Sequence, residues 1–323
     1  MEDAIHKSVL LEEALADLQP RERGRYLDGT VGLGGHTRAI LERAPGGEVC
    51  GLDRDGEALE IARERLRSFG DRARLFHLPF AQYAEALDAL GWTSVDGALL
   101  DLGVSSMQLD KADRGFSFRE DAPLDMRMDQ TSSGKSAFEL VNRATFEELK
   151  NILVSLGEEP LGGKIAREII NSRGKSPIKT TGELAEQIWR AYPVGWRKSA
   201  RNHPATRSFQ ALRMAVNDEL GQLELFLDTI LDRLADRGRL VIISFHSLED
   251  RIVKRKMKEW AKGDNREANG KYKKNIGRES MAPPERRARV EILHKKPLVA
   301  GEDEIATNPR SRSAKLRACI KIS

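Results

Sequence analysis

Apolar positions in the first hundred residues fall in short runs that alternate with stretches of helical period. Residues 25–27, ending at Asp28, read as a first strand, followed by 48–53, 74–78 and 95–102. The last of these, Val-Asp-Gly-Ala-Leu-Leu-Asp-Leu, is the most apolar. Between them, residues 56–68 and 81–90 carry the helical pattern, and 8–18 form an amphipathic segment for which Ser8 is the expected N-cap. Strands alternating with helices predict a parallel α/β sheet covered on both faces.

The next strand signal is at 239–244, preceded by a helical pattern at 211–234. Gly103 and Leu240 are 137 positions apart, whereas a strand–helix–strand crossover takes only roughly 30 residues or a little more. The excess carries three capping boxes, Ser136 with Glu139, Thr145 with Glu148 and Thr180 with Glu183, each before a helical pattern. Residues 110–206 therefore read as an inserted small helical domain, joined through the stretches near 131–134 and 193–204. The flanking segments, 1–109 and 207–323, form the α/β domain. Residues 247–262 read as a basic helix, 263–289 as a polar mobile loop, and 290–293 with 314–322 as closing strands, an antiparallel hairpin at the sheet edge.

Composition narrows the class. The chain has 323 residues, enough for two domains with cores. Its apolar runs fall short of the roughly 18 residues of a membrane span, and its N-terminus lacks the apolar stretch of a signal peptide. A cytoplasmic protein without membrane association is expected. Cys50 and Cys319 are the only cysteines, too few for a disulfide framework, and no metal-ligand spacing is present; no metal is expected. Net charge is +4, but residues 251–289 carry a local +9 and 195–213 another +5, leaving −10 for the remainder. That asymmetry suits a polyanionic partner, though a basic run is as often a solvated surface.

In an open parallel sheet, ligands sit beyond the carboxyl ends of the strands. Here those ends carry Asp28 with the loop Gly29-Thr-Val-Gly-Leu-Gly-Gly-His36, then Asp53, Phe80 just past the third strand, and Asp101. Asp53 follows Asp28 by 25 positions, where a carboxylate can accept from both hydroxyls of a ribose. The loop lacks a P-loop lysine and is preceded by an acid. An acid repels a pyrophosphate but suits a cofactor with an ammonium and a sulfonium, which favours S-adenosylmethionine over NAD or ATP.

The segments Asp28-Gly-Thr-Val-Gly-Leu-Gly-Gly-His36, Leu99-Leu-Asp-Leu-Gly-Val-Ser-Ser106, Arg114-Gly-Phe-Ser-Phe118, Pro123-Leu-Asp-Met-Arg-Met-Asp129, His203-Pro-Ala-Thr-Arg207 and Ile243-Ser-Phe-His-Ser-Leu-Glu-Asp-Arg-Ile-Val-Lys254 resemble those of the bacterial 16S ribosomal RNA (cytosine-N4)-methyltransferases. The resemblance runs from about His6 to about Leu316 with the motifs in order. It implies a Rossmann-like S-adenosylmethionine methyltransferase sheet, and methylation of a cytidine amine in the decoding centre of the small ribosomal subunit. It places Gly34, Gly35, His36, Asp53, Phe80, Asp101 and Gln108 at the cofactor. Amino-methylases commonly carry Asn/Asp/Ser-Pro-Pro-aromatic at the fourth strand end. Asp101-Leu-Gly-Val-Ser-Ser lacks both prolines and the aromatic, so the base-stacking residue and the proton acceptor stay open.

The residues bear on that implication independently. Methylation of cytosine at C5 needs a cysteine nucleophile, and neither cysteine lies at a substrate-facing strand end. An amine nitrogen needs only positioning, an acceptor for its N–H and a route for the released proton. Ser105 and His246 are weak catalytic candidates; Ser105 could equally begin a helix, and His246 could order the turn from Phe245 to Ser247. Arg207 and Arg213 are candidate RNA contacts. Phe116 and Phe118 could stack a flipped base, but docking of the insert against the sheet is the better expectation. The rival functions are a methyltransferase for another nucleic-acid or protein amine, and a non-catalytic RNA-binding assembly factor. Free 16S rRNA and the assembled subunit are both open as substrate, as are a homodimer and the role of 263–289.

Overall fold

A computed structural model describes residues 8–199, 203–263 and 287–322. The chain divides into two compact units: residues 1–53, 59–102 and 223–323, and residues 54–58 with 103–222.

The first unit is built on one seven-stranded sheet. Its strands are β1 (Arg25–Asp28), β2 (Glu48–Asp53), β3 (Ala73–His77), β4 (Val95–Asp101), β5 (Leu234–Ser244), β6 (Val290–Ile292) and β7 (Lys315–Lys321). Their order across the sheet is β3-β2-β1-β4-β5-β7-β6. The first five are parallel; β7 is antiparallel to β5 and to β6. The expected antiparallel pairing of the two closing strands at the sheet edge is present, with β7 joined to β5. Chain order reverses between β1 and β4, and such a switch point opens a crevice at the carboxyl ends.

Alternation along the strands explains why both faces are covered. Leu27, Ala98, Leu100, Leu240 and Ile242 join one apolar cluster, with Tyr83, Leu87, Phe226, Leu227, Met257 and Trp260 from the helices of that side. Their neighbours Tyr26, Leu99, Val241 and Ile243 point the other way, into a cluster with Leu15, Leu18, Ile40 and Leu41. These helices are α1 (Leu11–Leu18), α2 (Gly35–Arg43), α4 (Tyr83–Ala89), α12 (Glu219–Arg233) and α13 (Ser247–Lys262); α3 (Gly56–Arg65) packs Leu59, Ala62 and Leu66 on Val31. Ser8 does not cap α1, which begins after Leu10 in a left-handed turn with no side-chain cap.

The second unit is helical: α5 (Ser106–Asp110), α6 (Ala137–Arg143), α7 (Phe146–Ser155), α8 (Gly162–Arg173), α9 (Thr181–Ala191), α10 (Val194–Ser199) and α11 (Ala205–Asn217). All three expected capping boxes form. Its core includes Leu124, Met126, Val141, Leu149, Leu153, Ile165, Ile169, Leu184 and Ile188. The sequence pattern set its limits at 110 and 206, whereas the compact unit runs from Gly103 to Gln222, because α11 buries Phe209, Ala211 and Leu212 in that same core. Phe116 and Phe118 pack there as well.

Two further expectations need correction. The single helix at 211–234 is two helices, α11 and α12, broken at Asp218 in the left-handed conformation. The fifth strand starts earlier than 239, since Leu234 already pairs with Val95 ahead of an irregularity in register. Most of the 263–289 stretch lies outside the described residues. No described helix is long and apolar enough to cross a membrane.

The break after α11 has a structural purpose. Asn217, 2% exposed, accepts from the Met128 N–H at 2.9 Å and donates to the carbonyls of Met126 at 2.8 Å and Arg213 at 2.9 Å. It thereby holds a segment in which Met126 adopts φ 61°. Asn217→Ala leaves two buried backbone groups without partners and should cost about 2–4 kcal/mol. A fall in the chemical-denaturation midpoint checks it; an unchanged midpoint would show that the segment holds itself.

Candidate functional site

The carboxyl edge of the sheet has a notch at β1. In register, Asp28 lies opposite Gly51 of β2 and Leu99 of β4, so both neighbours run two residues further, to Asp53 and Asp101. The glycine loop fills the notch. It continues the ladder through Gly29 N–H to Leu99 O (3.0 Å) and Val31 N–H to Leu52 O (2.9 Å). The Gly32 N–H then donates to Asp53 Oδ2 at 2.7 Å, and the Asp101 N–H donates to Thr30 Oγ1 at 2.6 Å. The loop is thus tied to the acids at both strand ends.

Asp28 anchors it from below. Fully buried, its carboxylate accepts from Thr30 N–H at 3.1 Å and Thr37 Oγ1–H at 2.6 Å. Burial pushes its carboxyl up to about 6, the two threonine hydrogen bonds working against the rise and the Asp53 charge adding to it. Asp101 is raised well above the usual carboxylate range, first by burial and then by the charges of Asp28, Glu249 and Glu304. Its Oδ1 is buried with no hydrogen-bond partner. A buried unpartnered acceptor among acids favours a bound cation or hydrogen-bond donor.

Gly34 caps α2 with φ 88°, a conformation that a Cβ would strain. The missing Cβ of Gly35 makes room for the Ser8 hydroxyl, so that glycine serves contact with the N-terminal segment. Nothing lies within 4 Å of where a Cβ on Gly32 would sit; the loop is open on that side. His36 is buried, with Nε2 3.2 Å from Val9 O and Nδ1 3.8 Å from Asp101 Oδ2. Phe80 follows β3 in a short 3-10 turn, edge-on to Phe226 at 5.9 Å. Six expected cofactor residues therefore belong to this unit, five of them on the loop or bonded to it. Thr30 and Thr37 were not singled out from the sequence, and Ser8 was read only as a helix cap. The threonines within Asp28-Gly-Thr-Val-Gly-Leu-Gly-Gly-His-Thr37 were the available signal; Ser8 had none.

His246 caps α13: its Nδ1 accepts the Glu249 N–H at 3.4 Å and its Nε2 faces Glu249 Oε1 at 3.1 Å. Glu249 Oε2 accepts in return from the Phe245 and His246 N–H groups. In the helical unit, Ser105 caps α5 and forms a capping box with Gln108. Gln108 is 4% exposed; its Oε1 accepts the Ser105 N–H at 3.0 Å and its Nε2 donates to Asp55 at 2.8 Å. Arg114 meets the same Asp55 carboxylate at 2.9 Å, buried, and donates to Met128 O at 2.7 Å. Arg207 is exposed and donates to Glu158 O at 3.2 Å, whereas Arg213 is bidentate on Glu219 at 2.8 Å.

A doubly covered sheet in this order, with a glycine loop between acids at the ends of β2 and β4, defines a Rossmann-like methyltransferase dependent on S-adenosylmethionine. The residues fit that cofactor: raised carboxyls suit a cation, Asp53 suits a ribose, and Asp101 has an unfilled acceptor. The model of the MraW methylase family matches residues 3–322, and the chain belongs to that family. It is 58% identical to the ribosomal RNA small subunit methyltransferase H of Desulfovibrio desulfuricans, over 98% of this chain and 94% of that one. With the protein of the same name from Lawsonia intracellularis it shares 48%, over 98% and 99%. Among solved structures, a putative rRNA methylase from Clostridium thermocellum aligns with TM-score 0.44 at 11% identity, covering 98% of each chain. A putative methyltransferase from Streptococcus mutans in complex with SAH aligns with TM-score 0.42 at 12% identity, covering 98% of this chain and 100% of that one.

The raised carboxyls give a pH dependence of defined sign. A carboxyl raised by folding contributes stability that is present below its unfolded value and lost as pH rises through about 6 for Asp28. A cationic cofactor prefers the ionised form, so its binding should expel protons. For Asp28, the affinity for S-adenosylmethionine should rise with pH through about 6, by up to about tenfold per pH unit for the proton released. Calorimetry near pH 6 in two buffers of different ionisation heat measures the release. A pH-independent affinity with no proton release would count against a cation beside these acids.

Proposed function

We propose that the chain transfers a methyl group from S-adenosylmethionine to the N4 amine of a cytidine in 16S rRNA, at the decoding centre of the small ribosomal subunit. The observation that carries this reading is the unpartnered, buried Oδ1 of Asp101 at the end of β4. Gly34, Gly35, His36, Asp53, Phe80 and Asp101 are the proposed cofactor residues. Asp53 would take the ribose, and Asp28 and Asp101 the positive charge; Gln108 joins the set on the family resemblance. When bound, the cofactor supplies an electrophilic methyl group on a sulfonium.

The thiols support an amine rather than ring carbon as acceptor. Cys50 and Cys319, the chain's only cysteines, are both buried inside strands, and burial pushes each thiol up to about 12. Neither can serve as the thiolate that C5 methylation requires. The amine nitrogen forms the new N–C bond with its own lone pair, so the protein need only position it and take its proton. Asp101 suits that task because a carboxyl raised toward neutrality is a better proton acceptor than an ordinary one. His36 Nδ1 lies 3.8 Å from Asp101 Oδ2, and a role for it beside that carboxylate belongs to the same proposal.

The helical unit with Arg207 and Arg213 is the proposed RNA-recognition part, and the cytoplasm, where the rRNA resides, is the proposed location. Free 16S rRNA and the assembled subunit are both candidate substrates in this reading, and a homodimer is a candidate working form. Incubating the chain with S-adenosylmethionine and either small-subunit rRNA or subunits, followed by nucleoside mass spectrometry, should yield N4-methylcytidine. Asp101→Asn should lower kcat by about 10²- to 10⁴-fold. Methylation at C5, or equal transfer to naked DNA or bulk protein, would overturn the assignment.

A further inference from the structure

In the helical unit a line of aromatic rings climbs from the core to the surface. Phe209 of α11, 4% exposed, meets Phe118 edge-on at 4.8 Å. Phe118 lies 4.8 Å from the ring of His203, and His203 stacks on Trp189 of α9 at 5.3 Å with 21° between planes. At the top, Trp189 is 37% exposed, and nearby on the next helix Trp196 is 51% exposed.

Cations stand beside these rings, with the exposed ion pair of Arg190 and Glu186 on the same helix as Trp189. The guanidinium of Arg197 lies 5.5 Å from the centre of the Trp189 ring. It is fixed there by bonds to Tyr192 O at 2.8 Å and Arg190 O at 3.0 Å. Arg207 is exposed as well. Desolvation lowers the pKa of His203, so the ring in the stack is neutral at physiological pH.

We infer that Trp189, backed by His203 and flanked by Arg197, is a stacking platform for an unpaired nucleobase of single-stranded RNA, with Arg197 and Arg207 contacting the adjoining phosphates. A duplex would offer the arginines phosphates but hide its base faces from the indole, whereas a single strand offers both. An acidic peptide would match the charge and leave the aromatic surface unused. This inference rests on the reading of the chain as an rRNA methyltransferase, and it names a place on the helical unit that holds that substrate.

Binding of a fluorescein-labelled oligocytidine of roughly 12 nucleotides to the full chain tests it, read by anisotropy at several salt concentrations. Trp189→Ala should weaken binding about 5- to 100-fold, and Trp189→Phe, which keeps a stacking face, should stay within about threefold of the unaltered chain. Arg197→Gln should lower the slope of log affinity against log salt by about one. Thermal melting guards against misfolding, and the phenylalanine variant separates a lost ring from a lost fold. Unchanged affinity in Trp189→Ala, equal affinity for a duplex, or equal competition by polyglutamate would overturn the platform. Failure here leaves the methylation of rRNA by the unaltered chain as a separate result, since that assay uses the natural substrate and reads the product.

Discussion

The carboxylate of Asp28 is the constraint around which the sheet's functional edge is arranged. It lies at the end of the shortest parallel strand, fully buried, and the loop must fold over it to supply donors. Thr30 and Thr37 do so from opposite ends of the loop. Once Thr30 is fixed, its hydroxyl takes the Asp101 N–H, and Gly32 is brought under Asp53. Three acids at three strand ends are thereby set by one buried hydrogen-bonded group. Keeping Asp28 ionised in the fold costs about 3 kcal/mol relative to the unfolded chain, from the rise of its carboxyl to about 6. Such a cost persists where the group has a function.

The helical unit has its own buried ionic centre. Asp55 and Arg114 are 3% and 2% exposed, and the carboxylate also receives the Gln108 amide. Pairs of this kind add little net stability over an apolar replacement, but breaking one leaves an uncompensated charge. The pair joins two stretches of the chain 59 positions apart, and Arg114 also donates to Met128 O. Asn217 holds the same segment from α11. Ionic and amide groups thus fix irregular backbone where apolar packing alone has no directional preference.

The sequence made the sheet legible because alternation and strand-end acids are local signals. Asp28, Asp53 and Asp101 could be placed at strand ends from the apolar runs alone, and the capping boxes marked helix starts correctly at Ser136, Thr145 and Thr180. Less visible was what depends on distant partners. The continuous helical pattern through 211–234 hid the turn at Asp218, which exists because Asn217 bonds residues some ninety positions earlier. Ser8 looked like a cap, yet it lies against the glycine loop. His246 and Ser105 drew attention as reactive side chains at strand ends, and both form capping boxes with residues three positions on. That spacing was present in the sequence with a glutamate and a glutamine, the residue types that complete such a box.

The raised carboxyls also explain why the fold and its cofactor suit one another. A site that must accept a sulfonium needs negative charge, but negative charge without a partner weakens the sheet edge that holds it. Asp28 resolves part of this conflict with two threonine donors, and Asp101 does not, since its Oδ1 has none. The strain is therefore concentrated at the end of β4, where an incoming cation or amine proton gains most. On the proposed reading of Asp101 as cofactor contact and proton acceptor, a better-satisfied carboxylate would stabilise the free protein and weaken both roles. The unmet acceptor is kept in place by a loop bonded to both neighbouring strand ends.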